Sequence, residues 1–308
     1  MWAELGKRLA ERWLSMLVLP GALYLAVGAA ARALGHSQPF ALERLTRQIT
    51  AWANASVVGT VGGQVVLLTA VLAGAAAIGL VAQGLGTLTE ELHLSADWHN
   101  WPAGARHLGR RITERRRKAW REAAEAWHDH REAAAARAYH TPVDPAARRH
   151  ARAAMVRIAV EDPARPTWSG DRIHAVAVRL ERDYHLDLVA LWPHLWLILP
   201  DTVRAEITAA RQALIRATNL SAWALLYLPL AGWWWPAVAI TAVLAVAGRQ
   251  RTRSAAGVYA TLLEAAARVH ARDLAEALGL NPAEALTRDS GDAITRHLTP
   301  SAPPRPAG

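Results

Sequence analysis

Charged and apolar positions are unevenly spread along this chain, and the gaps between charges are its first structural signal. Trp13 to Ala31, Gln48 to Thr89 and Ala217 to Gly248 carry no charged residue. A helix needs about 20 mostly apolar residues to cross the hydrocarbon of a bilayer. Trp13 to Ala31 predicts one span, and residues 57–85 a second. A cleaved signal peptide competes for the first stretch, because Lys7, Arg8 and Arg12 precede it and small residues close it. The third run is 32 residues long, too long for one span and short for two. "LAGWWWP" lies in its middle, where Gly232 and Pro236 favour a turn and Trp favours an interface. The pattern predicts a two-span hairpin, about 212–230 and 234–250.

Placement of charge supports the hairpin. Arg204, Arg211 and Arg216 precede the run, and Arg249, Arg251 and Arg253 follow it. Basic flanks favour the cytoplasmic side, and only a hairpin keeps both clusters there. The expected topology has four spans in the plasma (inner) membrane, with both termini cytoplasmic and an external loop at 32–56.

"LDLVALWPHLWLILP" (186–200) looks like another span. Its charge-free core, Leu188 to Leu199, is too short, is bounded by Asp187 and Asp201, and contains Pro193. It predicts a kinked apolar helix that caps the cytoplasmic domain or docks it on the bilayer through Trp192, Trp196 and Leu197.

The remainder reads as helix, with no alternation that predicts a sheet. Residues 86–211 form a helical cytoplasmic domain. Within it, 105–140 lacks proline, 143–158 opens on Asp144 and Pro145, and 171–184 places Ile173, Val176 and Leu180 at helical spacing. Asp201 opens a helix that runs into the third span. C-terminal cytoplasmic helices occupy 251–298, with an apolar stripe of Val258, Leu262, Ala266, Val269, Leu274 and Leu278. Asn281, Pro282 and Glu284 resemble a capping box, and 299–308 is a disordered tail. The fold class is all-α: a polytopic membrane bundle with residues 1–85 and 212–250 in the bilayer.

Composition narrows the chemistry. No Cys occurs, which excludes disulfides, thiolate zinc sites and cysteine nucleophiles. The net charge is +9, and its densest cluster is Arg106, Arg110, Arg111, Arg115, Arg116, Arg117, Lys118 and Arg121, with only Glu114 among them. Such a cluster attracts anionic lipid at a cytoplasmic face. A protein partner is the competing reading. Nucleic acid is not expected, since no reading module accompanies the charge.

Candidate catalytic groups are sparse. His128 and His130 stand two apart, so a helix turns them to different faces. "PTWSGDR" (166–172) has neither a phosphate-loop lysine nor a nucleophile elbow, and Asp171 suits a plain helix N-cap. Apart from Arg216 and Arg249 at the ends of the hairpin, the predicted spans contain no acidic or basic residue, which argues against ion-coupled transport. Gly59 and Gly63 form a small-xxx-small pair for helix packing.

"WHNWP" followed by "RRITERRRKAW", "PTWSGD", "YHLDLVALWPHLWLILPD" and "YATLLEAAARVHARDLAEALGL" occur in this order over roughly 98–280. In that order the chain resembles a group of uncharacterised bacterial multi-pass membrane proteins. Gly170-Asp171 replaces the Gly-Asn frequent there. The resemblance implies four spans around a cytoplasmic middle domain and brings no activity, cofactor or catalytic residue.

The function expected on these grounds is a non-enzymatic scaffold or sensor subunit that presents the basic helical domain to a protein partner. A small oligomeric channel, with homo-oligomerisation, is the alternative. An enzyme acting on lipid through Asp171 and His174 stands third. No cofactor or metal is expected.

Overall fold

The computed structural model describes residues 18–55, 59–137, 145–280 and 286–299. Among them are ten α-helices and two short 3-10 turns, and no strand. We number the helices α1 (Leu19–Leu34), α2 (Leu42–Ala53), α3 (Val61–Leu94), α4 (Ala103–Arg137), α5 (Pro145–Ile158), α6 (Trp168–Tyr184), α7 (Leu188–Ile198), α8 (Asp201–Tyr227), α9 (Pro236–Ala277) and α10 (Arg288–Leu298). The chain divides into two compact units. The first comprises residues 1–90 and 215–251, the second 91–214 and 252–308.

In the first unit, α1, most of α3, the end of α8 and the start of α9 pack through small residues. Ala75, Gly79, Ala82, Gly86 and Thr89 are the buried positions of α3. They recur every three or four residues, so they form one stripe. A methyl group on Gly86 would sit 2.1 Å from Asn219 Oδ1, and one on Gly21 would sit 2.0 Å from the Ala75 carbonyl oxygen. Thr89 Oγ1 donates to the Thr218 carbonyl at 3.1 Å. Absence of a side chain is what lets these helices touch.

The run 217–248 folds as two helices. α8 ends at Tyr227, a 3-10 turn covers Leu228–Gly232, and α9 begins at Pro236. Gly248 of α9 lies beside Ser221 of α8, where an added methyl would meet Ser221 Oγ at 2.9 Å, so the chain doubles back. Tyr227, Leu230 and Ala237 form the core at the turn, and Tyr24 and Val27 of α1 pack against it.

Only α3, among the described residues, is both long and apolar enough to cross a membrane. The expected first span, 13–31, begins outside the described residues, and α1 is a shorter apolar helix of 16 residues. The expected external loop 32–56 contains a helix, α2. Gly59 precedes α3 and is exposed, and Gly63 lies in its first turn, so the two do not form one packing ridge. The close-packing positions of α3 are instead Ala75, Gly79, Ala82 and Gly86, with Gly21 of α1 against Ala75.

The second unit has an ordinary apolar core. Val176 and Leu180 of α6, Leu191 and Leu195 of α7, Ile207 of α8 and Leu263 and Leu274 of α9 meet there. α6 begins at Trp168, three residues before the expected start, with Thr167 as its N-cap. α7 is the expected short apolar helix, with Pro193 inside it and the Asp187 carboxylate accepting from Val189 N at 2.8 Å.

The expected stripe on α9 holds in part: Ala266 and Leu274 are buried and Leu262 and Leu278 pack against the core, but its two valines are not on the inner face. Ala256, Ala260, Ala267, Ala271 and Leu274 are buried, whereas Val258 and Val269 are 54% and 66% exposed. The inner face of α9 combines these alanines with Leu263 and Leu274. α9 also runs without a break from the hairpin into this segment.

α10 is capped by a reciprocal pair, Thr287 and Ser290. Thr295 Oγ1 ties α10 to the α6–α7 turn by donating to the His185 carbonyl at 2.9 Å. The Asn281, Pro282 and Glu284 pattern, Asp144 and the tail beyond Thr299 lie outside the described residues.

Candidate functional site

Two features of the second unit gather the residues that carry charge and aromatic surface. One is the basic helix α4 with the loop beneath it. The other is the outward face of α7.

The loop between α5 and α6, residues 159–167, contains Pro163 and Pro166. Proline has no N–H to donate and interrupts regular helical pairing, so the buried carbonyls around it need other donors. Side chains supply the donors. Trp98 Nε1 donates to the Ala164 carbonyl at 3.1 Å and Trp120 Nε1 to the Ala159 carbonyl at 2.9 Å. Arg117 Nη2 donates to the Pro163 carbonyl at 3.0 Å. Arg116 donates through Nη2 to the Ile158 carbonyl at 2.8 Å and through Nη1 to the Arg165 carbonyl.

Asp171 closes this clamp from the other side. Oδ1 accepts from Ala164 N at 2.9 Å and Arg165 N at 2.7 Å, and Oδ2 accepts from Arg116 Nη1. Its side chain is only 4% exposed. Burial pushes the Asp171 carboxyl above the usual carboxylate range, and Arg116 and the two loop amides pull it back. Asp171 is therefore not the helix N-cap. Thr167 takes that place, accepting from Gly170 N at 3.1 Å. Asp171 lies one turn further on and faces inward. A carboxylate held by three donors is not free to act as a base.

His174, one turn along α6, is held below the usual histidine range by burial and by Arg165, with Asp171 acting against them. Among the described residues no hydrogen bond joins the His174 side chain to another ionisable group. Among the described residues no cluster of three metal ligands exists, and His128 and His130 are both exposed on α4.

The basic cluster divides once it is placed on α4. Arg116 turns inward to the clamp, and Arg117 is half-buried between the Pro163 carbonyl and Asp162. Arg106, Arg110, Arg111, Arg115, Lys118 and Arg121 are exposed. Leu108 and Ile112 stand among them, 59% and 38% exposed. The outward face of α4 is thus basic with two apolar residues in it. Separating the inward arginine from the outward ones requires the position of the loop, 40 to 50 residues away in sequence.

α7 buries Leu191 and Leu195 and turns Val189 and Leu197 outward, at 80% and 76% exposed. Trp192 and Trp196 are half-buried, with ring centroids 5.8 Å apart. They wall a groove of about 470 Å³, completed by Pro193, Ile207, Arg211 and Tyr259. Sequence reasoning singled out the two tryptophans and Leu197 but not the α8 and α9 side of the groove.

The chain matches no protein-family model, no curated protein and no solved structure. Its chemistry rests on these residues alone.

Proposed function

We propose that this chain is a multi-pass membrane protein whose second unit serves as a non-enzymatic docking platform, in a scaffold or sensor role. The membrane part of the reading rests on α3. Its most apolar stretch is only 17% buried, and Val65, Leu68 and Leu80 are 59%, 61% and 54% exposed. An apolar helix with its side chains outside the protein's own core is matched to lipid. Four spans, formed by α1, α3 and the α8–α9 hairpin, are the fullest version of this topology. The arginines that flank both ends of the hairpin favour placing its ends, and with them both termini, on the cytoplasmic side.

The docking part rests on α7. Val189 and Leu197 are exposed apolar residues beside an aromatic groove walled by the half-buried Trp192 and Trp196, on a helix otherwise fixed in the core. Aromatic anchors beside a pocket are the usual high-energy part of a protein interface. The outward basic face of α4 fits anionic lipid, with Leu108 and Ile112 able to enter the headgroup layer.

The test is purification of the full chain from native membranes in mild detergent at natural expression level, with mass and composition read together. A second protein at fixed stoichiometry, lost in the Trp196→Ala/Leu197→Ala variant, is the expected result. A homo-oligomer without a second protein would overturn the platform reading and put the channel first.

A further inference from the structure

α2 lies in the segment between the first two apolar stretches, and none of its residues is buried. Twelve residues make a helix that is marginal in water without a surface to lie on. Leu42, Leu45, Ile49 and Trp52 recur at helical spacing on one side of it. Leu42, Ile49 and Trp52 are 72%, 52% and 46% exposed. Glu43, Arg44, Arg47 and Gln48 occupy the other side. Thr46 and Thr50 turn their hydroxyls back onto the carbonyls of Leu42 and Thr46, at 2.9 and 3.0 Å. The hydroxyls near the apolar side are thereby satisfied within the helix.

The segment leading into α2 is pinned to the turn of the α8–α9 hairpin. Trp234 Nε1 donates to the Pro39 carbonyl at 3.0 Å, and the Phe40 and Trp235 rings meet edge to face at 5.8 Å. Phe40, Trp233 and Trp235 remain 68%, 54% and 48% exposed. One end of the first unit therefore carries an exposed aromatic group next to an amphipathic helix. Aromatic rings concentrate at the headgroup level of a bilayer, and a short amphipathic helix with arginine on its polar side lies in the same layer.

We infer that α2 is an interfacial helix lying along the bilayer surface, with Leu42, Leu45, Ile49 and Trp52 in the boundary between headgroups and acyl chains. Arg44 and Arg47 face water and lipid phosphate, and Phe40, Trp233 and Trp235 anchor the same level. This inference rests on the membrane reading of α3. It assigns the covering of the apolar face to lipid because arginines beside an apolar stripe complement phosphate above hydrocarbon.

The absence of Cys allows single cysteines to be introduced without a prior deletion. Leu42→Cys, Ile49→Cys, Arg44→Cys and Arg47→Cys, with Val71→Cys and Leu80→Cys on α3, are each spin-labelled in the full chain. The chain is then reconstituted in vesicles of phosphatidylcholine and phosphatidylglycerol. Collision with oxygen reports hydrocarbon, and collision with a water-soluble nickel chelate reports water. The expected oxygen-to-nickel ratio is several-fold higher at 42 and 49 than at 44 and 47, and higher again at 71 and 80. Equal nickel access at all four α2 sites would overturn the inference, as would shielding of 42 and 49 from both reagents, which would mean protein covers them. Nickel access at 71 and 80 would instead overturn the membrane reading itself.

Discussion

Asp171 and Arg116, 55 residues apart, meet in a buried ion pair that also fixes the α5–α6 loop. The guanidinium satisfies the Ile158 and Arg165 carbonyls while the carboxylate holds the amides of Ala164 and Arg165. Removing one partner leaves the other buried and uncompensated, which costs about 3–5 kcal/mol. Asp171→Asn is expected to lower unfolding stability by that order, measured by chemical denaturation of the purified full chain. Arg116→Lys should not restore it, because a point charge cannot reach three acceptors in the fork geometry of arginine. A change below about 0.5 kcal/mol, the size typical of surface substitutions, would refute the clamp.

His174 gives the second unit a pH dependence. Its folded pKa is lowered from 6.5 by burial and by Arg165. The folded state therefore binds fewer protons than the unfolded state below that value. The contribution of His174 to stability is fully present above pH 6.5 and is lost as pH falls through the lower folded pKa. Thermal midpoints should stay level from pH 8 to pH 6.5 and decline as pH falls below 6.5, and the decline should flatten in His174→Gln. Parallel declines in both proteins would assign the effect to other groups.

How much of this was legible in the residues depends on whether the cause is local. Asp187 and Asp201 bound the apolar stretch, Pro193 lies within it, and α7 is the resulting short helix. Gly232 and Pro236 mark the break between α8 and α9 because turns are local as well. Asp171 is of a type that suits an N-cap, but only the position of Arg116 makes it a buried ion-pair partner, and no pattern along α6 reports that. On α9, helical spacing puts Val258 and Val269 on the core stripe with Ala266 and Leu274; the latter two are buried, but the two valines are exposed, because the choice of inner face depends on which helices pack against it. The apolar side of α2 is present in the sequence. A segment weighed only by its charges conceals it.

Gly21 sits directly against the backbone of α3. A methyl group there would lie 2.0 Å from the Ala75 carbonyl oxygen, which belongs to backbone and cannot swing aside. Gly62→Ala meets nothing within 4 Å and serves as the control. Gly21→Ala should destabilise the first unit by about 1–3 kcal/mol despite alanine's better helix propensity. Gly62→Ala should be neutral or slightly stabilising. The readout is the thermal midpoint in one detergent, and equal midpoints would show that α1 and α3 do not touch at Gly21.

The outward basic face of α4 must be tested without disturbing the clamp beneath it. Deleting 104–121 would also remove Arg116 and Trp120, so loss of lipid binding in that variant would report misfolding as readily as lost charge. Replacing Arg110, Arg111, Arg115 and Lys118 with Gln leaves the inward donors in place, since all four side chains are exposed. Each basic residue near an anionic surface contributes roughly 1 kcal/mol. The fourfold variant should therefore retain far less phosphatidylglycerol than the unaltered chain when both are purified from mixed-lipid membranes and their lipids are counted by native mass spectrometry. Helicity and thermal midpoint should stay unchanged. Because the attraction acts through exposed charges, raising salt during purification should strip anionic lipid from the unaltered chain and do little to the variant. Equal phosphatidylglycerol retention by the two proteins, at low and high salt, would remove anionic lipid as the partner of this face and leave a protein surface as its occupant.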